Sequence, residues 1–341
     1  MKVLITGGAG FIGVNTAKRY IDKNAEVIII DNLSRKGTNI NLNWIKKHGK
    51  IKFYKIDIRD FESLNKILKK EKCIDVVFHF AAQVAVTTSV VDPRNDFEIN
   101  AIGTFNLLEA IRKNSPKSIV IFSSTNKVYG GLEQLKISEK STRYELQEFK
   151  KGIPENFPMD FHSPYGCSKG TADQYVRDYS RIYGLKTVVF RQSCIYGQHQ
   201  FGIEDQGWVA HFAIQSLFNR PITIYGNGKQ VRDVLYVDDL IDAFELAIKN
   251  IKKTKGQIYN IGGGYKNQIS LLEFISLLEK KLNKKIKLNF SDWRPGDQKI
   301  FVSDNTKLEK ELNWRPKINI EKGLNLLIKW IEENKHILEK L

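Results

Sequence analysis

Lys2-Val-Leu-Ile-Thr-Gly-Gly-Ala-Gly-Phe-Ile-Gly13 decides the fold. Lys2–Thr6 reads as a short apolar strand, and the glycines behind it as a tight turn that runs into an amphipathic helix. Gly7, Gly10 and Gly13 are the key spacing. Glycine permits φ > 0 and lets backbone N–H groups approach a pyrophosphate. The helix that follows offers its N-terminus to the anion. A glycine spacing alone says little, but this one lies between a first strand and a first helix.

Outward from that turn, apolar runs alternate with helical periodicity as far as Arg191. The strand expectations are Lys2–Thr6, Glu26–Asp31, Ile51–Ile56, Asp75–Phe80, Ser118–Ser123 and Lys186–Arg191. Helices are expected over Val14–Asn24, Phe61–Lys70, Glu98–Lys113 and Tyr165–Tyr183. A βαβ series of this kind implies an α/β fold, a doubly wound parallel sheet covered by helices on both faces. After Arg191 the pattern loosens. Short strands at Ile222–Tyr225, Gln257–Ile261 and Ile286–Phe290 alternate with helices, one of which opens on a capping box, Ser270-Leu-Leu-Glu273. Residues 1–191 are read as a nucleotide-binding domain. Residues 192–341 are read as mainly a smaller α/β substrate lobe, with some chain returning to the first domain.

Asp31 ends the second strand, where an acid meets the ribose of a bound dinucleotide. A carboxylate there accepts hydrogen bonds from both ribose hydroxyls and repels a 2′-phosphate, which predicts NAD over NADP. Arg35 and Lys36 lie close by and weigh the other way. Asp57, after the third strand, either meets the adenine amino group or is an acid near a helix start. Ala81, Ala82 and Gln83 follow the fourth strand at the carboxyl edge of the sheet, where a ligand crevice is expected.

Tyr165 and Lys169 sit four residues apart in Ser163-Pro-Tyr-Gly-Cys-Ser-Lys169, and on a helix both project from one face. A phenol is a poor base near neutral pH, and an adjacent ammonium makes it a usable one. Ser123-Ser-Thr-Asn-Lys-Val-Tyr-Gly130 follows the fifth strand, so its hydroxyls face the same crevice.

The bulk composition is ordinary for a soluble globular protein. The 341 residues are 42% hydrophobic, and three scattered cysteines form neither a disulfide framework nor a metal-ligand spacing, which suits a reducing cytoplasm. No metal is expected: His79 and His162 flank site motifs without partners at ligand spacing. Met1–Ile5 lacks a cleavage-site pattern, and no apolar stretch reaches transmembrane length, so no membrane association is expected. The net charge of +16 raises nucleic acid as a partner. The lysines are dispersed along helices, however, and no nucleic-acid partner is expected. A basic protein steers anionic substrates, nucleotide-sugars among them.

Together the glycine loop, the Thr125 strand end and the Tyr165/Lys169 pair resemble the extended short-chain dehydrogenase/reductases that act on nucleotide-sugars, with their Rossmann-type sheet. Several segments are similar to the CDP-paratose 2-epimerases, also called CDP-tyvelose 2-epimerases. They are Asp31-Asn-Leu-Ser-Arg-Lys-Gly37, Gln83-Val-Ala-Val-Thr-Thr-Ser89, Ser124-Thr-Asn-Lys-Val-Tyr-Gly130, Asp160-Phe-His-Ser-Pro-Tyr-Gly-Cys-Ser-Lys-Gly170, Asp205-Gln-Gly-Trp-Val209 and Gly226-Asn-Gly-Lys-Gln-Val-Arg-Asp233.

The resemblance implies Thr125, Tyr165 and Lys169 as the catalytic trio, with Lys169 lowering the phenol pKa. It places NAD against Gly7, Gly10, Phe11, Ile12 and Gly13, and against Asp31, Asn32, Ser34 and Arg35. The same cofactor would meet Asp57, Ile58, Ala81, Ala82, Gln83, Asn100 and Ser123, beside Tyr165 and Lys169. Arg232 and Arg294 would reach the substrate diphosphate and ribose, since guanidinium forks suit phosphate oxygens. Gln206 and Trp208 would line the sugar or base pocket, although Trp208 reads equally as core.

The implied reaction is epimerisation at C2 of a CDP-3,6-dideoxyhexose by an isomerase that recycles its NAD. Relatives pair through two long helices, which makes a homo-oligomer, dimer or tetramer, the expectation. Two departures matter. Asn126 and Lys127 stand where 4,6-dehydratases carry an Asp-Glu pair, which disfavours water elimination. Cys194 stands where many relatives have Asn, which leaves its contact with substrate open. A nucleotide-sugar 4-epimerase is the alternative enzyme. A non-catalytic NAD-binding or RNA-associated module is the alternative of another class.

Overall fold

The computed structural model describes residues 1–340. Seven parallel strands form one sheet: β1 (Lys2–Thr6), β2 (Glu26–Ile30), β3 (Ile51–Tyr54), β4 (Val76–His79), β5 (Ile119–Thr125), β6 (Lys186–Gln192) and β7 (Ile258–Ile261). Their spatial order is β7-β6-β5-β4-β1-β2-β3. This is the Rossmann-type doubly wound arrangement, and its order reverses between β1 and β4, which opens a crevice at the carboxyl ends of those strands.

The strands are apolar because both faces are covered. Val3, Ile5, Val27, Ile29 and Phe78 point into one buried layer, while Leu4, Ile28, Ile30 and Val77 point into the other. That alternation is the period of two expected of a pleated strand. Leu107, Leu108 and Val176 close the second layer. They lie on two long helices, Gly103–Asn114 and Ser163–Tyr183.

The structure departs from the sequence reading in particular places. The first helix runs over Phe11–Ile21, three residues earlier than Val14–Asn24, because Gly10 is extended and the helix begins directly after it. The stretch read as one helix over Glu98–Lys113 opens with a π-helical turn, Glu98–Ile102, before the α-helix Gly103–Asn114. The helix Thr38–His48 lies in an asparagine-rich segment with little apolar periodicity. The strand Val231–Tyr236 carries Arg232 and Asp233, whose charges hide a fully buried strand from a reading based on hydropathy.

The strand β7, expected among the later short strands, adds to the edge of the large sheet beside β6. The strand Val231–Tyr236 pairs with Cys194–Tyr196, Gln268–Ser270 and Ile300–Phe301, while Ile222–Tyr225 pairs in parallel with Leu288–Ser291. All of these strands except Ile300–Phe301 pack with Phe212, Phe274, Leu278, Leu324 and Trp330 into a separate apolar cluster. The capping box is formed: Glu273 N donates to Ser270 Oγ at 3.1 Å, and Ser270 N to Glu273 Oε2 at 3.0 Å. Among the described residues no helix is long and apolar enough to cross a membrane, and no His/Cys/Asp/Glu group could hold a metal.

Candidate active site

A cavity of about 490 Å³ opens at the carboxyl ends of the strands, between the large sheet and the later strands. Its first wall is the glycine turn. Gly7 has φ +68°, and a Cβ there would lie 2.6 Å from Ala81 N. A Cβ on Gly13 would collide with the Gly7 carbonyl oxygen. Gly10 caps the first helix without a side-chain hydrogen bond, so the amides of that helix's first turn stay free at the cavity. Gly10, Phe11, Ile12 and Gly13 line it.

Asp31, Asn32, Ser34, Arg35, Asp57 and Ile58 line the next part. Asp31 is buried, and burial pushes its carboxyl up. Its two oxygens accept from Ala9 N at 3.0 Å and Leu33 N at 2.8 Å. Each oxygen keeps a lone pair for a further donor such as a ribose hydroxyl. Burial pushes the Asp57 carboxyl up, but Arg59, bound through both its oxygens, and Asn32 win and hold it at about 2. Arg35 reaches across to Gln206, its guanidinium donating to Oε1 at 3.0 Å.

Ala81, Ala82, Ser123, Thr125, Tyr165 and Lys169 form the deep end. The helix Ser163–Tyr183 presents Tyr165 and Lys169 on one face, and Tyr165 N donates to Ser89 Oγ at 3.1 Å. Burial pushes the Tyr165 phenol up to about 12, against a hydrogen bond from Thr125 and the charge of Arg35. The net direction is therefore opposite to a lowered phenol, because burial outweighs the groups that lower it. The Lys169 ammonium donates to Ser123 O at 2.7 Å and lies 4.4 Å from the centre of the Phe122 ring. Its own pKa falls to about 8 on burial.

Gln83 and Asn100 do not line the cavity. They stand behind its wall, where Asn100 Oδ1 accepts from Gln83 N at 2.9 Å. His79 is a satisfied core residue between Thr6 and Thr104, and burial pushes it down to about 3, so it is neutral.

The second half of the cavity comes from the later chain. Arg232, 8% exposed, donates to Asp297 Oδ1 at 2.7 Å. Arg294 donates to Glu204 O at 2.9 Å and sits 3.8 Å from the centre of the Tyr225 ring. Trp208 serves both readings: it lines the cavity and packs edge-on against Phe212 and Phe274. Its Nε1 donates to Cys194 Sγ at 3.4 Å, and burial pushes that thiol up.

Lys127 was legible only as a missing acid, yet it lines the cavity. Its Nζ donates to Gly296 O at 3.0 Å, and burial lowers its pKa to about 8. Asn126 Nδ2 is turned to Gln298 Oε1 at 3.2 Å. Also missed were Gln192 and Gln230, which line the cavity, as does Thr87 in one of the quoted segments. Thr87 Oγ1, Gln192 Nε2 and Gln230 Oε1 are buried and have no hydrogen-bond partner among the described residues. Free polar atoms at a cavity wall suit a ligand rich in hydroxyl and amide groups.

The glycine cradle, the uncapped helix start and Asp31 fit a dinucleotide. Two arginines facing the other half fit a diphosphate. Arrangements like this one recur in known proteins. The family model for GDP-mannose 4,6 dehydratase matches residues 4–327. The CDP-paratose 2-epimerase of Salmonella typhi is 46% identical over 97% of this chain and 99% of its own. Among solved structures, the UDP-glucose 4-epimerase of Thermotoga maritima with UDP-glucose is 32% identical, with a TM-score of 0.84, over 98% of this chain and all of that one. The UDP-glucuronic acid 4-epimerase of Bacillus cereus, in complex with UDP-glucuronic acid and NAD, is 30% identical, with a TM-score of 0.82, over 98% and 99% of the two chains. The chain belongs to the GDP-mannose 4,6 dehydratase family of nucleotide-sugar epimerases and dehydratases.

Proposed function

We propose, with that membership as premise, that this protein is an isomerase that inverts C2 of a CDP-3,6-dideoxyhexose, CDP-paratose to CDP-tyvelose, with NAD as recycled cofactor. The observation that carries the reading is the 46% identity over nearly the whole of both chains to a CDP-paratose 2-epimerase, against about a third to the 4-epimerases. A place in making O-antigen sugars of lipopolysaccharide follows from that substrate.

NAD, when bound, would supply the two-electron oxidant and reductant that epimerisation at C2 requires. Gly7, Gly10 and Gly13 leave room for its pyrophosphate beside the free amides of the first helix, and Asp31 takes its ribose hydroxyls. Tyr165 removes the proton of the C2 hydroxyl as that carbon is oxidised, and returns it on reduction. Thr125 hydrogen-bonds the same oxygen. Lys169 supplies a positive charge beside them, anchored on the Ser123 carbonyl. The 2-keto sugar turns in the cavity between the two half-reactions and is reduced on its other face. Arg232 and Arg294 hold the diphosphate meanwhile, so the sugar turns without leaving.

Asn126 and Lys127 support epimerisation over dehydration. Neither an amide nor an ammonium supplies the acid and base pair that water elimination needs. The trio itself would serve C4 as well as C2, so a 4-epimerase is the second reading, supported by the likeness to two such enzymes.

Pairing of two chains through Gly103–Asn114 and Ser163–Tyr183 is supported by Phe105, Tyr175, Ile182 and Tyr183, all large and exposed. Three free cysteines suit a reducing cytoplasm. Incubation with CDP-paratose and, separately, UDP-glucose, with products followed by NMR, tests the reading. CDP-tyvelose is the expected product, and UDP-galactose alone would overturn it.

A further inference from the structure

Directly behind Tyr165 and Lys169 lies a cluster with no part in the chemistry described above. Asp96, in the short helix Pro93–Phe97, is 1% exposed. Its Oδ2 accepts from Ser168 Oγ at 2.5 Å, and its Oδ1 from Gln83 Nε2 at 3.0 Å and Asn100 Nδ2 at 3.1 Å. Both amides are oriented by other partners. Asn100 Oδ1 accepts from Gln83 N, Gln83 Oε1 accepts from Ala85 N, and Gln83 Nε2 also donates to Ala85 O at 2.8 Å. Ser168 Oγ accepts from Asn100 Nδ2 at 3.0 Å, and its own proton has two acceptors in reach, Asp96 Oδ2 and Tyr165 O at 3.2 Å. Two amide donors and a hydroxyl meet the carboxyl group; burial pushes its pKa up, while the Ser168 hydroxyl and the charge of Lys169 favour the ionised form. Once ionised, Asp96 holds a negative charge in the wall beside the catalytic helix.

We infer that Asp96 is a positioning residue whose buried charge sets the pH range in which Tyr165 and Lys169 work together. The inference rests on the roles proposed for those two residues. The charge of Asp96 favours the protonated phenol of Tyr165 and the charged ammonium of Lys169.

The other groups around the pair act on one member or on neither. On the same helix Asp173 supports only Lys169, while itself bound to Arg191 at 2.9 Å and Ser124 at 2.7 Å. From the loop after β2, Arg35 acts downward on Tyr165, and from the end of β5, Thr125 bonds the phenol. From β4, His79 is neutral. Asp96 alone, among the described residues, raises the proton affinity of both.

The consequence has a definite sign. The working pair needs the phenol ionised and the ammonium charged, so the two pKa values together bound the rate profile. A neutral residue at position 96 lowers both pKa values, so the whole bell moves to lower pH. A residue that merely braces the helix would change the height of the bell and leave its limbs in place.

The test is kcat/KM against pH with CDP-paratose for the wild type, Asp96→Asn and Ser168→Ala. Asp96→Asn keeps the shape, and its new amide can donate to Ser168 Oγ. Both of its limbs are expected to move down by on the order of one pH unit. Ser168→Ala keeps the charge and is expected to leave the limbs in place, and NAD affinity measured without substrate is expected to hold in both variants. Unmoved limbs in Asp96→Asn, or an equal shift in Ser168→Ala, would overturn the inference.

If Asp96→Asn does not fold, Asp96→Ser carries the same expectation. A wild type that does not turn over CDP-paratose contradicts the function rather than this role. The role is then read from the ultraviolet difference titration of Tyr165, each protein against its own Tyr165→Phe counterpart. An onset no lower in Asp96→Asn than in the wild type overturns it there too.

Discussion

The two halves of the cavity are built on different principles. The cofactor half uses backbone: a glycine turn, the free amides of a helix start, and short side chains at the ends of β2 and β5. The substrate half uses long charged side chains already engaged by protein acids and carbonyls, such as Arg232 on Asp297 and Arg294 on Glu204 and Asp205. A cradle made of backbone is fixed once its strand and helix form. Paired side chains can exchange a protein partner for a phosphate, which is what a site that keeps its diphosphate while the sugar turns requires.

The largest expected effect separates chemistry from both kinds of binding. Tyr165→Phe should cut kcat by about a hundred- to ten-thousand-fold. NAD affinity, measured by titration of the protein's fluorescence, should persist. Equal loss of both would mean that the phenol is structural.

Next, Arg232→Ala should break only the substrate half. It removes the guanidinium that would meet the diphosphate and leaves Asp297 without its partner, so KM should rise roughly thirtyfold with NAD affinity unchanged. Asp31→Ala should do the reverse. It should weaken NAD by about tenfold, the size of a lost charge-assisted hydrogen bond, relax the discrimination against NADP, and leave KM for the nucleotide-sugar alone.

The smallest effect is on the pH dependence of KM. Lys169 and Lys127 are both pushed down to about 8 by burial, and each is charged below that value. As pH rises through about 8, KM should rise as Lys127 loses its proton. In Lys127→Gln the rise in KM across that window should vanish.

The same contrast explains what the sequence could tell. The cofactor half was legible because its elements are local. Gly7 to Gly13 and Tyr165 to Lys169 are each read from one short segment, and the order of strands supplies the rest. The placement of Gln83 and Asn100 behind the wall was not legible, because which side of a loop faces a cavity depends on packing.

The substrate half joins residues far apart in the chain. Lys127 meets Gly296, Asn126 meets Gln298, and Arg35 meets Gln206. No periodicity carries such pairings. The buried strand Val231–Tyr236 was obscured for a related reason: its charged residues are neutralised by tertiary partners, Arg232 by Asp297, and Asp233 by Ser193 and the amides of Gly264 and Ser303. The helix Thr38–His48 is held by tertiary contacts too. Its Asn41 Nδ2 donates to Ala9 O and His199 O, at 3.1 and 3.2 Å.

The central claim is that hydrogen leaves and rejoins C2 inside the cavity. It is tested most directly by turnover of CDP-paratose in D₂O, with the CDP-tyvelose product examined by proton and deuterium NMR. The account predicts inversion at C2 with the C2 hydrogen retained and no deuterium on that carbon. Deuterium at C2 would mean proton abstraction and return through solvent, and would contradict the account.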